Sequence, residues 1–281
     1  MKIAAVSYLN TAPLIQGLDA WNDATILRAV PSQIATMILN NQADIGLASI
    51  IDYAHASTHQ DPLVLIPAGM IGCDGPTLTV KLISSVPINQ ITTVHADTDS
   101  HTSIALCDLI LQKQHTIKAT FINHDFRNPQ TPSTPPQTLL VIGDKVVTNT
   151  PSPKLYPHQI DLGQAWHNLT SLPFVYATWM CKHSAITNPE SRVNIIAAAH
   201  VLERTMLKNQ TRIDWIIANC ATPAGWPTDL AKEYLGQLLR FKVDNRAKQA
   251  VQTFLTMTAD LNITPQVHPN WLDLSQTPTL A

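Results

Sequence analysis

Charge is scarce in this chain. Only 14% of its 281 residues are Asp, Glu, Lys or Arg, and the formal net charge is −2. No basic cluster stands out, which argues against nucleic acid or an anionic membrane surface as a partner. The four cysteines, Cys73, Cys107, Cys181 and Cys220, are widely spread and form no C-x-x-C pair. Neither a zinc site nor a disulfide framework is indicated. No apolar run is long enough to span a bilayer, and Ser7, Asn10 and Thr11 interrupt the opening segment before it could serve as a signal peptide. A cytoplasmic, reduced protein is expected. A G-x-S-x-G elbow and a Walker A loop are both missing, which removes two common catalytic frameworks. Phe and Tyr, five of each, are too few and scattered for a base-stacking platform. His55 and His59 are four apart, but without H-E-x-x-H or a third ligand no metal is expected.

What is present is core material. Apolar residues make up 45% of the chain, so it folds, and its length suggests about two domains. The organising stretch is Ser7-Tyr8-Leu9-Asn10-Thr11-Ala12-Pro13-Leu14. It follows the short apolar run Ile3-Ala4-Ala5-Val6, which reads as a buried strand. Pro13 suits the first turn of a helix. Strand, polar turn and helix start follow one another, and in a parallel sheet that is where ligands lie. Unpaired N–H groups at a helix start suit a carboxylate. Thr11 as a plain N-cap is the competing role.

Further strands are expected at 25–30 and 44–48, with a helix between them capped at Ser32. This β-α-β-α-β order points to a parallel sheet with helices on its faces. A helical segment from 49 to 59 follows, then strands at 63–66 and 78–83. Between them Gly72-Cys73-Asp74-Gly75-Pro76 forms a turn where backbone N–H groups can approach a ligand. A domain crossing is expected near Ser84. Beyond it, a strand at 91–95 leads to Asp97-Thr98-Asp99-Ser100-His101-Thr102-Ser103 and then to apolar residues at helical spacing. Here hydroxyls again sit at a helix start, with N-capping and carboxylate binding as the two candidate roles.

A strand is expected at 118–122. Two Pro-rich stretches, 128–137 and 150–158, read as loops. They flank the buried strand 139–142, which ends in Gly143-Asp144. An amphipathic helix is expected at 161–170. The strand at 173–179 reads as the return crossing, and the remainder as mainly helical.

Several of these segments together resemble one family, chorismate dehydratase of the futalosine route to menaquinone. The resemblance begins with residues 7–14. It continues through Ala43-Asp44-Ile45-Gly46-Leu47 with Asp52-Tyr53, and through Asp74-Gly75-Pro76 with Val80. Asp97-x-x-Ser100-x-Thr102-Ser103 and Ile142-Gly143-Asp144 follow. The longest agreement is Asp161-Leu162-Gly163-x-x-Trp166 with Leu172-Pro173-Phe174-Val175-Tyr176-Ala177-x-Trp179. The segments are collinear over nearly the whole chain. Four positions depart from the pattern: Cys73 and Thr79 stand where serines are usual, His101 where arginine is common, and Ser49 where proline is common.

The resemblance implies an α/β, two-lobed fold like the type II periplasmic binding proteins, with the ligand cleft between lobes. One lobe would be discontinuous, 1–84 plus 177–281, and the other would be 85–176. It implies loss of water from chorismate, a dianionic small molecule, to give 3-[(1-carboxyvinyl)oxy]benzoate, with no cofactor. Asn10 is the implied catalytic residue. The implied substrate-binding set is Ser7, Tyr8, Asn10, Thr11, Cys73, Gly75, Ser100, His101, Thr102, Ser103 and Asp144. No side-chain base is visible in the shared motifs, which leaves the substrate's own enolpyruvyl carboxylate to take the proton. Two other readings share the fold: a non-catalytic binding protein for a small carboxylate, and dihydroxynaphthoate synthase, whose N-terminal signature differs from 7–14.

Overall fold

A computed structural model describes residues 1–126, 135–149 and 151–275. In chain order its strands are β1 (Lys2–Val6), β2 (Thr25–Ala29), β3 (Ile45–Ser49), β4 (Leu63–Cys73), β5 (Val80–Ser84), β6 (Thr93–Asp97), β7 (Thr120–His124), β8 (Thr138–Ile142), β9 (His158–Asp161), β10 (Phe174–Lys182) and β11 (Leu239–Arg240). They form two mixed sheets. One has the order β11-β4-β10-β3-β1-β2, the other β7-β6-β8-β5-β9.

The expected parallel unit at the N-terminus is present: β1 pairs in parallel with β2 on one side and β3 on the other. The second sheet contains an equivalent unit, with β6 parallel to β7 and β8. The short apolar runs form these strands because both faces of each sheet are covered, as parallel pairing requires. All five residues of β3 and of β8 are buried.

Sheet membership moves both expected boundaries, the second because β10 lies wholly in the first sheet from Phe174 on, ahead of residue 177. β5 pairs antiparallel with β8 and β9, so it belongs to the second sheet. The chain therefore passes between sheets at residues 74–79, ahead of the crossing expected near Ser84. The return passage lies between the helix Leu162–Thr170 and β10. Three strands are longer or newly found; one of them, β11, lies in the stretch expected to be mainly helical and pairs with β4. β4 runs on to Cys73, with irregular register against β10 around Thr178 and Val175, and β9 occupies part of an expected loop. Most of the Pro-rich stretch 128–137 lies outside the described residues.

The return passage is anchored by aromatics. Trp166, Phe174 and Phe254 are fully buried and pack edge-to-face, with centroids 4.9–5.8 Å apart. Phe174 also meets Tyr176 edge-on at 4.6 Å. Such pairs contribute about 0.5–1.5 kcal/mol each beyond their buried area. This cluster holds the inner end of β10 in place and so fixes Tyr176.

Candidate active site

The carboxyl ends of the parallel strands in both sheets converge on one cleft. Beyond β1 come Tyr8 and Asn10, and beyond β2 comes Pro31. Ser49 closes β3, Ser100 and Ser103 follow β6, Ile142 closes β8 and Gly143 follows it. Thr77, Thr79, Tyr176 and Tyr234 complete the polar lining. Ligands of open α/β sheets lie at such strand ends. The cleft is narrow, about 50 Å³, room for a few waters. A wider hollow of about 830 Å³ lies around Trp21, Lys182 and Asn194, but none of the expected residues reaches it.

Among the described residues neither lysine nor arginine lines the cleft. Positive potential comes instead from helix starts. Ser100 caps the helix His101–His115, its hydroxyl accepting from the Ser103 N–H at 3.3 Å. The two hydroxyls of Ser100 and Ser103 are 2.9 Å apart. The helices Pro31–Leu39 and Ile50–His55 also start at the cleft, next to Pro31 and Ser49. Helix N-termini carry partial positive charge and favour an anion placed beside them.

Two buried tyrosines are held by hydroxyl partners from the passage between sheets. Thr77 Oγ1 lies 2.7 Å from Tyr176 Oη, and Thr79 Oγ1 lies 2.7 Å from Tyr234 Oη. The Asn10 side chain lines the cleft beside them. Burial pushes both phenols well above their ordinary pKa, so both stay protonated at neutral pH. The 77–79 segment is fixed in turn by Asp161, whose oxygens accept from the N–H groups of Thr77 at 2.9 Å and Leu78 at 2.7 Å.

The lobes meet through several polar contacts. Tyr8 Oη donates to Asp99 Oδ2 at 2.6 Å. Lys145 Nζ lies 2.7 Å from that same oxygen and 2.6 Å from Asp97 Oδ2. Burial raises the Asp97 carboxyl above its ordinary pKa, against the opposing pull of Lys145. Asp144 Oδ2 accepts from the Leu9 N–H at 3.2 Å, and its Oδ1 accepts from Trp226 Nε1 at 3.1 Å. Gly143, at φ +66°, lies under the Tyr8 ring, where an added Cβ would stand 3.1 Å from Cε2. A side chain there would be strained twice, by conformation and by crowding.

Of the expected site residues, Tyr8, Asn10, Ser100 and Ser103 line the cleft together. The others stand outside its lining. Ser7 is solvent-exposed. Thr11 is fully buried and donates to Asn10 Oδ1 at 3.2 Å. Cys73 is buried behind Thr77, 3.0 Å from its hydroxyl. Gly75, at φ +114°, sits beside Gln164. His101 turns away to Asp52, with Nδ1 2.7 Å from Oδ1. Thr102 is buried, its hydroxyl accepting from the Ile51 N–H at 3.1 Å. Asp144 spends an oxygen on each of two protein donors, as described above.

Thr77, Tyr176 and Tyr234 lie outside the expected set. Thr79 and Ser49 stood out in the sequence only as departures from a pattern.

Residues 1–260 match the model of a family described as menaquinone biosynthesis. The chain belongs to that family. Among curated proteins it is similar to a chorismate dehydratase of Thermus thermophilus, at 27% identity over 187 residues, which is 61% of this chain and 66% of that relative. The match thus spans just under two thirds of the relative's length. Solved structures establish the fold of this family member. The alkanesulfonate-binding protein SsuA of Xanthomonas axonopodis superposes with a TM-score of 0.61 at 10% identity, covering 97% of each chain. A Candida albicans protein described as having the generic periplasmic binding protein fold gives 0.59 at 10% identity, covering 95% of this chain and 91% of that one. The two-lobed, periplasmic-binding-protein-like architecture implied by the sequence is therefore present. Among the described residues no helix is long and apolar enough to cross a membrane.

Proposed function

We propose that this family member is a cytoplasmic hydro-lyase that converts chorismate to 3-[(1-carboxyvinyl)oxy]benzoate on the futalosine route. The observation that carries the reading is one cleft lined by Tyr8, Asn10, Ser100 and Ser103, with five further hydroxyls and, among the described residues, no side-chain cation. The relative named chorismate dehydratase supports the choice of substrate.

The chemistry suits such a site. The ring hydrogen on the ether-bearing carbon is vinylogous to the ring carboxylate. Its removal gives a delocalised anion, and departure of the neighbouring hydroxide then makes the ring aromatic. One C–H and one C–O bond break, and water leaves. Developing charge on the ring carboxylate is met by fixed neutral donors, whose alignment costs nothing at the moment of reaction. In this reading the hydroxyls of Ser100 and Ser103, at the positive end of their helix, receive a carboxylate. The substrate's enolpyruvyl carboxylate takes the proton, and Asn10 holds the substrate so that the two groups meet.

The test is incubation of the purified protein with chorismate, followed by ultraviolet absorbance and mass analysis. A benzenoid product lighter than chorismate by one water is expected. Saturable binding without that product would leave a binding protein and overturn the reading.

A further inference from the structure

We infer that Asp144 is a positioning residue that couples contact between the lobes to the alignment of Asn10 and Tyr234. This rests on the function proposed above.

Asp144 follows β8 in the second sheet, while both of its partners belong with the first. Its Oδ2 takes the N–H of Leu9, the residue immediately before Asn10. Its Oδ1 takes Trp226 Nε1. The Trp226 indole is 4% exposed and lies flat against the Tyr234 ring, with centroids 4.8 Å apart and planes 14° apart. The Tyr234 hydroxyl then meets Thr79 and lines the cleft together with Asn10. One carboxylate thus holds two cleft residues at once: Asn10 through the backbone before it, and Tyr234 through the ring stacked behind it.

The local backbone agrees with this role. Tyr234 opens a π-helical turn, Tyr234–Leu238, directly after the helix Thr228–Glu233. Such turns are uncommon and recur at functional sites. A carboxylate is needed at 144 because both partners are donors: an amide there would offer one oxygen and turn an N–H₂ against the other donor. When the lobes separate, both arms of Asp144 must let go together. The fully aligned Asn10–Tyr234–Thr79 set then exists only while the lobes touch.

The test compares the parent protein with Asp144→Asn, Trp226→Phe and the double variant. With chorismate as substrate, Asp144→Asn is expected to lower kcat by about tenfold to a hundredfold, as small misplacements of reacting groups do, with KM nearly unchanged. Trp226→Phe keeps the stack and loses the donor, so a smaller fall in kcat is expected, and the double variant should be no worse than Asp144→Asn. A raised KM at unchanged kcat would make Asp144 a substrate ligand and overturn the inference. If Asp144→Asn does not fold, unchanged kcat in Trp226→Phe overturns it alone.

A second readout does not depend on turnover. The Trp226 contribution to fluorescence, taken as parent minus Trp226→Phe, should shift in Asp144→Asn as the indole N–H loses its carboxylate. An unshifted contribution refutes the arm even if the protein proves not to dehydrate chorismate. Absence of product in the parent refutes the proposed function instead.

Discussion

His101 Nδ1 lies 2.7 Å from Asp52 Oδ1, which ties the start of the helix His101–His115 in one lobe to the helix Ile50–His55 in the other. The hydrogen bond to Asp52, aided by its charge and opposed by partial burial, raises the His101 pKa above its ordinary value of 6.5. His55 and His59 line the same shallow hollow. The folded state favours the charged imidazole, so the stabilisation is complete below about pH 6.5 and is lost as pH rises through the raised value. Thermal unfolding of the parent and of His101→Gln should therefore differ most near pH 6 and converge toward pH 9, about two to three units above the ordinary value. His101→Arg, which stays charged, should remove that pH dependence. Equal differences at both ends of the range would show that the pair is not titrating.

Asn10 is predicted to matter for rate and not for folding. It is half-buried at the cleft, where its Oδ1 accepts from the Thr11 hydroxyl. Asn10→Ala should lower kcat by about 10²-fold, the usual loss for one preorganised polar group, with an unchanged far-ultraviolet circular dichroism spectrum. Turnover at the parent rate would remove Asn10 from the mechanism.

Gly163 is predicted to be intolerant of any side chain. An added Cβ would overlap Thr77 Oγ1 and crowd Cys73 Sγ and the Gly75 carbonyl oxygen. Because a backbone atom is among these, the strain cannot be relieved by one rotamer change. Gly163→Ala should cost about 1–3 kcal/mol of stability, as overpacking does, and should displace Thr77 from Tyr176. Urea denaturation measures the first effect and chorismate turnover the second.

The four cysteines should differ sharply in reactivity. Burial pushes the Cys73 and Cys181 thiols up to about 12, and raises Cys107 further. Cys220 is only half-buried, with a smaller rise and Arg28 pulling the other way. A thiol-specific reagent such as 5,5′-dithiobis(2-nitrobenzoate) should modify Cys220 alone in the native protein, and all four in denaturant. Peptide mapping after native labelling decides it: modification of Cys73 would mean that the cleft floor opens.

The N-terminal sheet was legible because each of its first three strands is a short apolar run followed by a polar turn, and the resemblance over 7–14 and 97–103 pointed to the same turns. Helix 161–170 was also legible, down to Asp161, whose side chain accepts from the Gln164 N–H as its N-cap. β5 was assigned to the wrong sheet because its apolar alternation fits either one, and only pairing decides. Thr77 and Tyr234 went unseen for a related reason. Each is unremarkable locally, and Tyr234 reads as part of an apolar helix face. Its position in the cleft depends on a π-helical turn and on Trp226 behind it, and neither leaves a periodic trace. His101 was placed in the site by its neighbours Ser100 and Ser103, yet on a helix consecutive residues face different directions.

Thr77 and Thr79 lie on one of the two chain segments that pass between the sheets, and Tyr176 lies just past the other. These segments form the axle about which any parting of the lobes must turn. Displacement grows with distance from an axle, so Ser100 and Ser103 would swing far while Thr77 and Tyr176 barely shift. Product could then escape past the outer rim while the hydroxyl pair at the centre stays assembled for the next cycle.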